Sequence, residues 1–144
     1  MRIEQVILSN LIHNEEYCRK VVPHLKTEYF SDRKEVAIAG LLVEFFEKYN
    51  KPASREILSI EVGNLHGLTD KEVPEYEHYV KELNSVEANE EWLLTETEKF
   101  CKDRAVYNAI LTSIKIAEGR DKVHQKDAIP SILSEALAVC FDNH

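Results

Sequence analysis

Glycine and proline number only four each in these 144 residues, and there are three cysteines. With so few helix breakers, 44% apolar content and long runs of period 3.6 instead of period 2, the pattern predicts an all-α protein. Cys18, Cys101 and Cys140 are odd in number, far apart and set in apolar helical patterns. That fits reduced, packed thiols and no disulfide framework, so the cytoplasm is the expected compartment. No apolar run approaches the ~20 residues of a membrane span, and Met1 to Asn10 lacks the charged start and apolar core of a signal peptide. Clustered base is also missing. A formal charge of −8 argues against a general nucleic-acid binder, whose affinity comes from grouped Lys and Arg.

Chemistry-bearing motifs are absent too. Nothing matches GxxxxGK[ST] or GxGxxG, so no phosphate cradle can be placed. HExxH, CxxC and CxxH are missing, which leaves no zinc or redox pair with its ligand spacing. Glu75 and His78 form a single Glu-x-x-His, whereas a di-iron bundle needs two such units plus two further carboxylates, so a solvated face is the reading. His13, His24, His66, His124 and His144 fall near element ends or turns, as surface groups or caps. Trp92 and the tyrosines fall at helical spacing and read as packing groups, since a base-stacking platform would need interleaved Arg and Lys. No cofactor, metal or catalytic set is expected in these residues.

What is present is helix after helix. Ile3, Val6, Ile7, Leu11 and Ile12 mark the first, and Glu15 to Val22 a short second one stopped near Pro23. After a break with Tyr29 and Phe30, residues 34–49 carry the most apolar helix of the first half, expected to be central to the body. Ser54 is a candidate N-cap for a helix ending near Gly63 or Gly67, and Thr69 with Glu72 matches a capping box before a helix through Tyr76, Tyr79, Val80 and Leu83. From Thr69 to Glu98 there are ten acidic residues and two lysines; from Lys99 to Lys126, seven basic residues and three acidic ones. The plain reading is a solvated face, the sharper one an acidic patch that docks a basic partner.

Asn89 caps a long helix predicted over residues 90–118, ended by Gly119, and Asp127 and Pro130 open a last helix that carries its apolar pattern to Phe141. The expected architecture is therefore a compact helical bundle, residues 1–88, followed by a C-terminal antiparallel helical hairpin, residues 89–144. Both hairpin helices are too apolar for one partner. At about 100° per residue, the apolar side chains between Arg104 and Gly119 cover roughly two-thirds of the circumference, and those of the last helix about 200°. Each helix can cover the other, and surface remains. Either the hairpin folds back on its own body, or it meets another copy of itself, the simplest partner by two-fold symmetry. The residues assigned to the seam within and between hairpins are Val106, Ile110, Ile114, Leu133, Leu137 and Phe141.

Several segments carry a family resemblance. Glu28 to Leu58 (EYFSDRKEVAIAGLLVEFFEKYNKPASREIL) resembles the N-terminal domain of DnaB-type replicative DNA helicases, as does the opening from Glu4 to Leu25. EYFSD, WLLTETEKF, RAVYNAI and AIPSILSEALAVCFDNH are similar to the T-even-type phage branch of that family. The resemblance implies an oligomerising collar of a hexameric ring, with hairpins paired between subunits, that recruits primase and other replication proteins such as a helicase loader. It also implies a motor domain beyond His144 holding the phosphate loop, ATP and Mg, in a host cytoplasm if the chain is phage-encoded. A free-standing adaptor or inhibitor of a helicase, or the helicase-binding domain of a primase, would share the outline. Direct DNA contact is not expected; Lys99, Lys102, Arg104, Arg120, Lys122 and Lys126 are the basic residues that would carry it.

Overall fold

The computed structural model describes residues 1–141, so the sequence expectation for His144 lies outside the described residues. The described chain holds α1 (Ile3–His13), α2 (Glu15–Val21), α3 (Arg33–Tyr49), α4 (Arg55–Gly63), α5 (Glu72–Lys81), α6 (Glu90–Ala117) and α7 (Ile129–Leu137), with short 3-10 turns at Val22–His24, Thr27–Tyr29 and Lys126–Ala128. No strand occurs among the described residues, so the fold is all-α.

Helix starts follow side-chain oxygens that satisfy otherwise unpartnered amides. Asn14 Oδ1 accepts from the Tyr17 amide, Asp32 from Lys34 and Glu35, Ser54 from Ile57, and Asn89 from Trp92. Thr69 and Glu72 exchange both bonds of the capping box, at 3.1 and 3.2 Å. The ends are equally local. Asn50 sits in the left-handed region at φ 57° and closes α3, and Gly119 does the same for α6 at φ 74°. Gly119 and Arg120 return their amides to the Ile116 and Lys115 carbonyls, the double bond of a Schellman motif.

The centre of the body is α1, not α3. Every residue from Val6 to Ile12 is buried, whereas α3 buries one face, with Ile38, Ala39, Leu42 and Phe46. Two polar residues, Ser9 and Asn10, are buried in it, and Asn10 tolerates this because its side-chain amide donates to the Val6 carbonyl one turn back, at 2.8 Å. Around α1 pack α2, α3 and the first half of α6. His13 closes the body by donating from Nε2 to the Leu83 carbonyl at 2.8 Å.

Helix α6, about 42 Å long at 1.5 Å per residue, is shared between body and hairpin. Leu93, Thr97, Phe100 and Cys101 lie in the body core. Thr97 donates its hydroxyl to the Leu93 carbonyl and therefore accepts from Tyr17, both at 2.7 Å, so a buried proton chain fixes α2 on α6. Farther along, Arg104 Nε donates to the Tyr29 carbonyl and Asn108 to that of Glu28, clamping α6 to the 27–29 turn. Its second half also has α7 beside it.

Candidate interaction face on the helical hairpin

The second half of α6 divides its apolar surface between two sides. Toward α7 it presents Ala105 and Ala109, which line one depression with Ile132 and Ala136 of α7 and Val139 just beyond it; Ala109, Ile116 and Ala136 are buried. The small residues bring the backbones close. A cavity of about 220 Å³ remains where this contact meets Tyr29 of the body.

The opposite side is uncovered. Tyr107, Ile110, Leu111 and Ile114 follow each other at i, i+3, i+4 and i+7 and are 42–51% exposed, with Leu137 of α7 at 58% beside them. Half of the large hydrophobic side chains exposed among the described residues belong to this single stripe. Scattered exposed apolar residues are ordinary; a contiguous stripe is the signature of a contact surface. It is grooved as well: Val106, Tyr107, Ile110 and Leu137 line an open depression of about 490 Å³, with Lys102 and Asp103 at its edge. The Arg104 guanidinium lies 4.7 Å from the Tyr107 ring centroid and holds that ring in place.

Of the residues assigned to the seam from sequence, Ile110, Ile114 and Leu137 lie on the exposed stripe and Val106 beside it, while Leu133 is half-buried. Phe141 is elsewhere. Helix α7 stops at Leu137, and beyond it Phe141 stacks on His24 at 4.8 Å while its amide donates to Glu98 of α6 at 2.7 Å. The helical period used to place Phe141 ends four residues before it. Tyr107 and Leu111 belong to the stripe but not to the sequence-based set. Their i, i+3, i+4, i+7 relation to Ile110 and Ile114 was the available signal.

The other candidates separate in space. Lys99 and Lys102 lie in the middle of α6 and Arg120, Lys122 and Lys126 past its far end, roughly 27 Å from Lys99 to Ala117 along the axis. Arg104 is committed to Tyr29 and Arg120 to Glu118, so the six form no common patch. Glu75 and His78 face different partners, Lys34 and Glu82. Burial pushes the Cys18 thiol up to about 11 and Cys101 up to about 12, which makes both unreactive at neutral pH. Cys140, expected to be packed, is exposed beyond the end of α7. Of the aromatic residues read as packing groups, Tyr17, Tyr29, Tyr76 and Tyr79 are buried, whereas Trp92, Tyr49 and Tyr107 are about half exposed. A second depression of about 490 Å³ between α2 and α6 is lined by Arg19, Lys20 and His24, but Arg19 is held by Glu15 and Asn50 and Lys20 by Glu16 and Glu90. Its cations are already neutralised.

These features define a class: an all-helical chain whose most distinctive surface among the described residues is an apolar stripe on α6 and the neighbouring end of α7. No phosphate-binding loop occurs in its sequence, and no group of three potential metal ligands among the described residues. No family model matches the chain. It is 28% identical over 148 aligned positions to the DnaB-like replicative helicase of Enterobacteria phage T4, a match covering 97% of this chain. The chain spans 31% of that relative's length. The likeness to a DnaB-type helicase seen in short segments therefore extends over nearly all of the sequence, consistent with an N-terminal domain. No described helix is long and apolar enough to cross a membrane.

Proposed function

We propose that this chain is a collar module of a DnaB-type replicative helicase, which joins subunits through the hairpin and recruits primase and other replication proteins in the host cytoplasm. ATP and Mg act in a separate motor domain of the assembly, since the sequence here contains no GxxxxGK[ST] phosphate loop. The observation that carries the reading is the uncovered stripe Tyr107, Ile110, Leu111, Ile114 and Leu137. Each side chain is about half covered already, so losing the remaining exposure contributes about 1 kcal/mol per residue, and a two-fold contact counts every residue twice. Pairing two hairpins covers the stripe without disturbing the body, because α6 is fixed there by Thr97, Arg104 and Asn108.

Light scattering coupled to size exclusion tests this. Ile110→Glu places a carboxylate in the middle of the stripe and is expected to weaken association by at least about 100-fold, or 2.7 kcal/mol, with unchanged helicity. An unmodified chain that stays monomeric at millimolar concentration, or a variant that associates as well as the parent, would refute the pairing.

A further inference from the structure

The body carries a second uncovered apolar surface, on the side formed by α3 and α4. Leu41, Phe45 and Tyr49 line a crevice of about 120 Å³ between these helices. The two rings pack at 4.6 Å between centroids, and Tyr49 remains 56% exposed. Ile60, on α4, is 65% exposed, more than any residue of the hairpin stripe. The crevice has room for about four water volumes, the space of one aliphatic side chain, which suits a single anchoring residue better than a small ligand.

The surrounding charge is one-sided. Glu44 and Glu61 line the crevice, and Glu47 and Glu56 are exposed on the same two helices. None of these four carboxylates forms an ion pair among the described residues, although most other exposed acids on α2 and α5 do. The one cation at the crevice, Lys48, lies over the Tyr49 ring at 5.3 Å. Nearby cations are engaged elsewhere, Lys51 with Glu15 and Arg55 with Asn84 and the Lys81 carbonyl. A slot lined by Leu41, Phe45 and Tyr49 together with Glu44 and Glu61 is matched by a partner offering an apolar knob flanked by Lys or Arg.

We propose that the α3–α4 crevice is a docking site for a basic amphipathic helix of a partner protein, which inserts an aliphatic side chain between Leu41, Phe45 and Tyr49 and sets its Lys or Arg residues against Glu44 and Glu61. A second copy is a poor occupant. The turn between α6 and α7, which holds the most exposed large apolar residue among those described, Val123, carries Arg120, Lys122 and Lys126 against Glu118, Asp121 and Asp127 and so has no net charge to offer. The site is separate from the hairpin stripe, and the proposal does not depend on hairpin pairing.

The test is a titration of the intact chain with a synthetic 18-residue peptide bearing leucine on one helical face and lysine on its flanks, read by fluorescence anisotropy. The expected result is saturable binding that weakens about ten-fold in Glu44→Gln/Glu61→Gln and in Tyr49→Ser, that weakens further as NaCl is raised, and that persists in Ile110→Glu. These positions are exposed, so circular dichroism should show each variant folded. A matched peptide with glutamate in place of lysine that binds equally well would overturn the proposal. So would binding lost in Ile110→Glu but kept in Glu44→Gln/Glu61→Gln, or a Tyr49→Ser variant whose self-association falls, which would make the crevice a contact between copies.

Discussion

Among the described residues Arg2 holds the one cation paired with a buried carboxylate, and removing it gives the sharpest stability test. Glu35, in the first turn of α3, is 1% exposed; one carboxylate oxygen, Oε2, takes hydrogen bonds from the Arg2 guanidinium and, at 2.6 Å, from the Tyr79 hydroxyl. The other, Oε1, has no partner. Arg2→Ala therefore leaves a buried charge with one neutral donor. Breaking such a pair costs about 3–5 kcal/mol when both members are buried, but Arg2 is half exposed and partly screened by water, which brings the expected loss to about 2–3 kcal/mol. Against a total of about 5–15 kcal/mol, and with a urea slope of about 1–3 kcal/mol per molar, the midpoint should fall by about 1–2 M. The double variant Arg2→Ala/Glu35→Gln should recover most of that loss, because a neutral amide oxygen can still accept from Tyr79. A midpoint shift below about 0.3 M for Arg2→Ala, or a double variant no better than the single one, would show that the carboxylate does not need its cation.

Other expectations follow from the same contacts. Tyr17→Phe removes the donor to Thr97 in a buried chain and should lower stability by about 1–2 kcal/mol in urea unfolding; an unchanged midpoint would mean Thr97 is satisfied without it. Gly119→Ala places a Cβ at φ 74° in the closing turn of α6 and should cost about 1 kcal/mol by thermal melting, although nothing lies within 4 Å of that Cβ. Alkaline pH should destabilise the fold. The unfolded thiols of Cys18 and Cys101 ionise near 9, whereas burial keeps the folded ones protonated to about 11 and 12. Stability is thus complete below about pH 9 and declines as the pH climbs toward 12, because the unfolded chain sheds its protons first. Melting temperatures between pH 8 and 11 should fall less steeply in Cys101→Ala; parallel curves would contradict the assignment.

Much of the architecture was legible because it is written in local chemistry. The caps at Ser54, Thr69, Asn89 and Gly119 depend on bonds within three to five residues, and each occurs where its spacing places it. What was illegible depends on distant partners. The burial of Asn10 is not legible because sequence does not reveal that its amide turns back to Val6, and the helix over residues 34–49 was expected at the centre in place of α1. Phe141 fits the helical period of α7 but stacks on His24, 117 positions earlier, a tertiary contact that periodicity cannot signal. The basic residues from Lys99 to Lys126 are close in number but strung along a rod. The excess apolar surface of the hairpin was visible in advance because it is a property of one helix counted around its own axis, while the division of that surface between α7 and solvent required coordinates.

Whether the exposed stripe is covered by another copy can be measured directly by hydroxyl-radical footprinting across a concentration series. Tyr107 and Leu137 should become progressively protected as concentration rises, while Trp92 and Tyr49, exposed on other surfaces, keep constant reactivity. Equal labelling of Tyr107 and Leu137 at all concentrations, with sedimentation confirming that the chain had associated, would place the contact elsewhere and contradict the account.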